Sequence, residues 1–230
     1  MLRILTSHSS VPVLDALAPA FEQASGLRYV VTHDSAKLML ARVQGGERGD
    51  VLILGTEAVA ALAQQHIVAD ETCRPFARAR VGVAVRAGSP KPDISTVESF
   101  KRALLSARSI AHTVHGASGM YVPVLLERLG IAAEIKGKTV TRPGGYIARV
   151  VASGEAELAI QQIVELLAVP GVELVGPIPD EIQKVFETSI AVFSQSSRRA
   201  GAEAAIRFLL SPDAGPIFAE KGLEQAGGNR

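Results

Sequence analysis

Ser109-Ile110-Ala111-His112-Thr113-Val114-His115-Gly116-Ala117-Ser118-Gly119-Met120-Tyr121 passes from one periodicity to another within a few residues. Ser109 to Val114 is a short apolar run of strand type. Val122, Val124, Leu125, Leu126 and Leu129 then recur with the spacing of a buried helical face. A Gly/Ser turn between a strand and a helix leaves backbone N–H groups without partners. Those amides, the positive end of the helix dipole and a Ser hydroxyl together form a cradle for an anion. Capping alone explains many such turns, so the weight of this one comes from its repetition elsewhere in the chain.

Toward the N-terminus, Arg3-Ile4-Leu5-Thr6 reads as a strand, Ser7-His8-Ser9-Ser10 as a polar turn, and Pro12 as first-turn proline of a helix carrying Leu14, Leu17, Ala18 and Phe21. Ser9 or Ser10 is the expected N-cap, and Gly26 ends the helix. Arg28 to Thr32 forms the next strand, followed by the turn His33-Asp34-Ser35 and a helix closed by Gly45-Gly46. Asp50 to Leu54 is a buried strand, and Thr56 to Gln65 a third helix. Alternating strands and helices favour a parallel sheet with right-handed crossovers. After strand-like Arg80 to Val85, Ser95-Thr96-Val97-Glu98 fits a capping box for a helix reaching Ala107.

Beyond the opening segment, Lys138 to Thr141 reads as a strand leading through Pro143-Gly144-Gly145 into a helix with Ile147, Val150 and Val151. Leu158 to Gln162 and Val172 to Val175 are further strands. Ser189 to Phe193 precedes two closing helices, Arg199 to Leu210 and Pro212 to Lys221. The expected architecture is α/β with two lobes, 1–80 plus 195–230 and 81–194, each a mainly parallel sheet flanked by helices. Crossings near 81–85 and 189–194 make a hinged clamp, with a ligand cleft between the lobes at strand C-terminal ends.

Composition narrows the function classes. A hydrophobic share of 47% against 20% charged residues fits a globular chain rather than a disordered one. A formal net charge of +1 gives no broad basic field for nucleic acid. No run approaches the roughly 20 apolar residues of a membrane span. Met1-Leu2-Arg3 leads directly into a strand, so the sequence as written is expected to be cytoplasmic, or periplasmic if a leader was removed. Cys73 is the single cysteine and reads as a structural or incidental thiol rather than a nucleophile. Walker, Rossmann, zinc-protease and nucleophile-elbow motifs are not found, and no cofactor or metal is expected.

Four turns each follow a strand and open a helix: Ser7–Ser10, His33–Ser35, His115–Gly119 and Pro143–Gly145. Ligand-binding candidates are Ser9, Ser10, Ser35, Ser118, Gly119 and Gly145, joined by Arg142 as a carboxylate clamp and by the amides Gln161 and Gln162. N-capping is the competing role for each Ser taken alone. His8, His33 and His115 each sit in one of these turns, where they serve as polar loop residues, as imidazolium partners of a carboxylate, or as proton carriers near neutral pH. Glu165 is a base, an orienting group or a helix-cap residue. Tyr121 and Tyr146 are read as packing residues, and Arg149 as a solvated cation.

The chain resembles the type II periplasmic solute-binding proteins, the molybdate/tungstate-binding group in particular. The resemblance lies in the Ser turn before Val11–Phe21, in Ser35-Ala36-Lys37-Leu38 followed by Gly49-Asp50-Val51-Leu52-Ile53, in Ser118-Gly119-Met120-Tyr121 and in Ala156-Glu157-Leu158-Ala159-Ile160. It implies that Ser9 or Ser10, Ser35 and Ser118 hold an oxyanion with amides near Gly145. Gln161-Gln162 stands where that family often has a Tyr. The partner so implied is a small oxyanion or a di- or tricarboxylate, with ABC transporter membrane subunits added if the protein is exported. The fold is also similar to that of aconitate isomerase, which shifts a proton along an unsaturated tricarboxylate. The alternative reading is therefore a cofactor-independent isomerase using His8, His33, His115 or Glu165. Effector domains of some transcription regulators share the fold, which makes a sensor the third reading.

Overall fold

A computed structural model describes residues 1–226. Strands and helices alternate at first: β1 (Leu2–Ser7), α1 (Val11–Ser25), β2 (Tyr29–Asp34), α2 (Ala36–Gln44), β3 (Val51–Gly55) and α3 (Thr56–Gln64). A long β4 (Arg74–Arg86) leads to α4 (Val97–Ser106), β5 (Ile110–Thr113), α5 (Ala117–Arg128), α6 (Ala132–Lys136) and β6 (Thr139–Arg142). Then come α7 (Ala148–Ala152), β7 (Leu158–Gln162), α8 (Ile163–Leu167), β8 (Val172–Pro177), β9 (Val185–Val192), α9 (Arg199–Leu209), α10 (Gly215–Glu220) and β10 (Glu224–Gln225).

The chain divides into two units, Met1–Arg78 with the chain from Phe186 onward, and Ala79–Val185. It passes from one to the other inside β4 and returns inside β9. The return falls earlier than the expected 189–194, because Ser189–Val192 pairs antiparallel with Leu54–Val51 of the first unit.

In the first unit β1 lies between β2 and β3, parallel to both, and β9 closes the other side of β3. Alternation along the strands sends Leu5, Leu52 and Leu54 to one face, where Met39, Val43, Val59 and Leu62 cover them. Leu2 points the other way, against Phe21 of α1 and Ala205 of α9. Burying each such Leu or Phe contributes about 1.5–3 kcal/mol.

In the second unit β4 runs antiparallel to both β7 and β8, while β5 is parallel to β6 and β7. Ala84, Ala111 and Ala159 present a low surface on which Ile147, Val150, Val151 and Leu166 pack. Each unit is therefore a mixed sheet, with its parallel strands concentrated where turns lead into helices. The capping box of α4 is Thr96 with Ser99, one residue later than expected. Ser99 accepts from the Thr96 N–H and Thr96 from the Ser99 N–H.

Candidate functional site

In the first unit Thr6 lies opposite His33 and Ser7 opposite Asp34, so β1 and β2 release their chains at the same sheet edge. His33 and Asp34 belong to the strand rather than to the turn, which leaves Ser35 as the linking residue. Ser10 and Ser35 occupy the N-cap positions of α1 and α2, yet neither side chain caps its helix. Ser9 spends its hydroxyl on Ser7, 3.1 Å away. The Oγ of Ser35 and the Oγ1 of Thr6 are buried without a hydrogen-bond partner. Leaving such a hydroxyl unsatisfied costs about 1–3 kcal/mol, an expense that a bound acceptor offsets. His8 and His33 meet edge to face with ring centroids 5.0 Å apart, His33 exposed and His8 half-buried.

Charge stands behind this edge. The Ser35 N–H donates to Asp34 Oδ1 at 2.8 Å, and Asp34 Oδ2 pairs with Arg42 at 3.2 Å. Arg42 forks onto Glu47 at 2.6 and 3.0 Å, and Arg3 joins the same carboxylate. The Arg42 hydrogen bond holds the Glu47 carboxyl below its ordinary range. Asp50 accepts from the Arg3 N–H at 2.8 Å and from Ser196 Oγ at 2.7 Å, which gives the Gly49-Asp50 pair a structural role.

In the second unit the turn after β5 is packed unusually close. A side chain at Gly119 would strike the carbonyl of Thr113, and one at Gly116 would press on the Thr113 hydroxyl. Only glycine lets α5 begin directly over the strand end. That approach buries Ser118 completely, and the hydroxyls of Ser118 and Thr113 again have no partner. The Val114 N–H donates to Arg142 O and the His115 N–H to Pro143 O, at 2.8 and 2.9 Å, so the third and fourth turns are tied together.

Gly145, at φ +82°, is held by Gln161 of β7. Gln161 Nε2 donates to Gly145 O at 2.8 Å, and Gln161 Oε1 accepts the Ile147 N–H at 2.9 Å. Gln162 is buried opposite Val81.

Other candidates are engaged differently from expectation. Arg142 is exposed and ion-paired with Glu155 of the same unit at 2.5 Å. Arg149 lies over the Tyr146 ring at 5.7 Å, and the Tyr121 hydroxyl donates to Ile182 O at 2.7 Å. Glu165 is buried at the third position of α8, where its carboxyl accepts the N–H of the N-cap residue Gln162, the helix-cap role among those expected of it. Burial also raises the Cys73 thiol above its usual range. His115 is half-buried in its turn.

Thr6 and Thr113 are missing from the expected set. Each is a hydroxyl in the last two residues of an apolar strand, just ahead of a Ser-containing turn, and that position is the signal that identifies them.

The model of a family described as bacterial extracellular solute-binding protein matches residues 2–224. Aconitate isomerase from a Pseudomonas species is 33% identical over 229 residues, spanning 97% of this chain and 87% of that protein. Among solved structures, the periplasmic molybdate-binding protein of Azotobacter vinelandii superposes with a TM-score of 0.82 at 18% identity, over 97% of this chain and 98% of that one. The sulfate-binding protein SubI of Mycobacterium tuberculosis does so with a TM-score of 0.76 at 19% identity, over 99% and 87%. The α/β architecture is thus the periplasmic-binding-protein type.

Proposed function

This chain belongs to the bacterial extracellular solute-binding protein family, and from that premise we propose that it takes a small unsaturated polycarboxylate at its hydroxyl-lined strand ends and isomerises it. The observation that carries this reading is the placement of the His8–His33 pair at the same sheet edge as the unpartnered hydroxyls of Thr6 and Ser35. The hydroxyls can donate to a carboxylate, and an imidazole can carry a proton near neutral pH. The likeness to aconitate isomerase along nearly the whole chain supports a tricarboxylate as the substrate class.

In this reaction an imidazole nitrogen removes a proton from the saturated carbon beside the double bond. The C–H electron pair forms a new double bond, and the old one becomes an electron-rich carbon stabilised by its carboxylate. That carbon receives the proton back, so the double bond moves one position with no redox change. The hydroxyl and amide donors stabilise the charge that spreads onto the carboxylate oxygens.

The test is NMR of cis- and trans-aconitate incubated with the protein in deuterated water. Interconversion with deuterium at the migrating carbon is expected, and it should be lost in His8→Gln or His33→Gln while affinity changes less than about threefold. A melting temperature raised by either compound with no conversion would sink the isomerase reading.

A second reading is favoured by the neutral character of the orphaned donors, Thr6, Ser35, Thr113 and Ser118, which suit an inorganic oxyanion equally well. Stabilisation by molybdate or sulfate alone, with the ligand unchanged, would select it. The protein would then hand its anion to the membrane subunits of an ABC transporter.

A further inference from the structure

In the second unit, at the end of β5 away from Thr113 and Ser118, three strands stand in register. Val85 of β4 lies opposite Leu158 of β7, and Leu158 opposite Ile110 of β5. The next residues outward are Arg86, Glu157 and Ser109, which flank one another where β4 ends and β7 and β5 begin. They share a cavity of about 310 Å³ with Arg108, Val151, Gly154 and Ala156.

This cavity is rich in donors and short of acceptors. Glu157 is the carboxylate on its wall, and Arg108 occupies Glu157 Oε2 through its backbone N–H and its Nε, each at 3.0 Å. Ser109 Oγ accepts the Glu157 N–H at 3.0 Å, which leaves the hydroxyl proton to donate. The neighbouring acids Glu155 and Glu173 are engaged by Arg142 and Lys91. Among the described residues the exposed Arg86 side chain has neither a hydrogen bond nor an ion pair, whereas Arg80, Arg108 and Arg142 each have a carboxylate. The Arg86 guanidinium reaches the Gly154 corner, where an added Cβ would stand 3.7 Å from Nη1. It is not needed to close α7. Arg149 O and Val151 O accept the N–H groups of Ser153 and Gly154, and Val150 O accepts the Ala156 N–H and the Ser153 hydroxyl.

We propose that this cavity is a second anion site, separate from the hydroxyl-lined strand ends, and that it takes the phosphate group of a small phosphate monoester. A guanidinium fork matches two phosphate oxygens, and the Ser109 hydroxyl supplies a further donor. Two arginines against one glutamate leave a surplus of positive charge, which favours a dianion. Val151 and Ala156, both buried, give the carbon skeleton an apolar wall, and the volume admits a phosphate with a few carbon atoms attached.

The experiment is nitrogen-15 NMR of the full chain titrated with glycerol 3-phosphate, which reads the two ends of β5 separately. The backbone amide signals of Ser109, Gly154 and Glu157 should move. The affinity read from them should fall about tenfold in Arg86→Gln and about threefold in Arg108→Gln. Ser118→Ala should leave it unchanged, because that hydroxyl lies beyond the opposite end of β5. Signals that stay still, or an affinity retained in both arginine variants, overturn the site. Movement confined to Ser35, Ser118 and Gly119 overturns it equally, since the phosphate would then occupy the serine turns. Inorganic phosphate forms the second arm and should bind at the same amides about fivefold more weakly, lacking the carbon skeleton. Equal binding of the two would overturn the ester as the ligand.

Discussion

The two units solve one problem with different materials. Each brings a pair of unpartnered hydroxyls to the ends of parallel strands, Thr6 with Ser35 and Thr113 with Ser118. Behind the first pair stands a run of alternating charges, Asp34, Arg42, Glu47 and Arg3, all partly open to solvent. Behind the second stand neutral groups out of water: a glycine pressed onto a carbonyl, and an amide strap leading to a buried carboxylic acid. The contrast follows from solvation. Charges at a wet edge keep most of their hydration and cost little to assemble, whereas a dry scaffold must use neutral donors or suppress ionisation. The dry scaffold should therefore be the more sensitive to substitution and to pH, and the wet one to salt.

The largest expected effect is at Glu165. The folded carboxyl keeps its proton up to about pH 8, while the unfolded one loses it near 4.5, so its contribution to stability declines as pH rises through that window. Glu165→Gln removes the decline and should stabilise the protein by up to about 3 kcal/mol at pH 7, with little change at pH 4. Urea unfolding at both pH values measures this, and equal stabilities at pH 7 would refute it. Gly119→Ala comes next, with a cost of about 2 kcal/mol because its methyl group meets the Thr113 carbonyl. If the variant melts like the wild type, the close approach is not a constraint.

Ser118→Ala and Ser35→Ala should each leave the ligand-free protein up to about 1 kcal/mol more stable, since an unsatisfied hydroxyl is removed, while anion affinity drops about tenfold. A loss of stability with affinity intact would make these serines structural. The smallest effect belongs to Arg42→Gln, about 0.5 kcal/mol from an exposed network, shrinking further in about 1 M salt. A cost that does not respond to salt would mean that Arg42 acts through packing.

Local periodicity made much of the fold legible. Leu158 to Gln162 is a strand as expected, and α1 ends at Gly26, because a continuous apolar run and a left-handed glycine are local signals. β4 reads as beginning at Arg80 but starts at Arg74, since its early residues place Arg74, Arg78 and Arg80 outward and interrupt the apolar pattern. The serine turns stood out because Gly and Ser cluster there. Thr6 and Thr113 did not, because threonine is at home in any strand and only the finished packing shows that its hydroxyl lacks a partner. The ion pair of Arg142 with Glu155 was not legible, because no spacing rule joins β6 to the turn after α7. Glu165 was ambiguous for the same reason: burial belongs to the assembled unit, not to the segment that carries the residue.

The passage of the chain through the two units also sets a timetable for synthesis. β3 acquires β1 on one side as soon as both are made, but its other neighbour, Thr188–Val192, is translated only after the whole of Ala79–Val185. For the time a ribosome takes to traverse that interval, on the order of ten seconds, the Val51–Leu54 strand has an open edge. An apolar strand with one unpaired side is where nascent chains stick to one another. Through this wait the first unit cannot complete its sheet. The outer edge of β3 is closed only when β9 emerges.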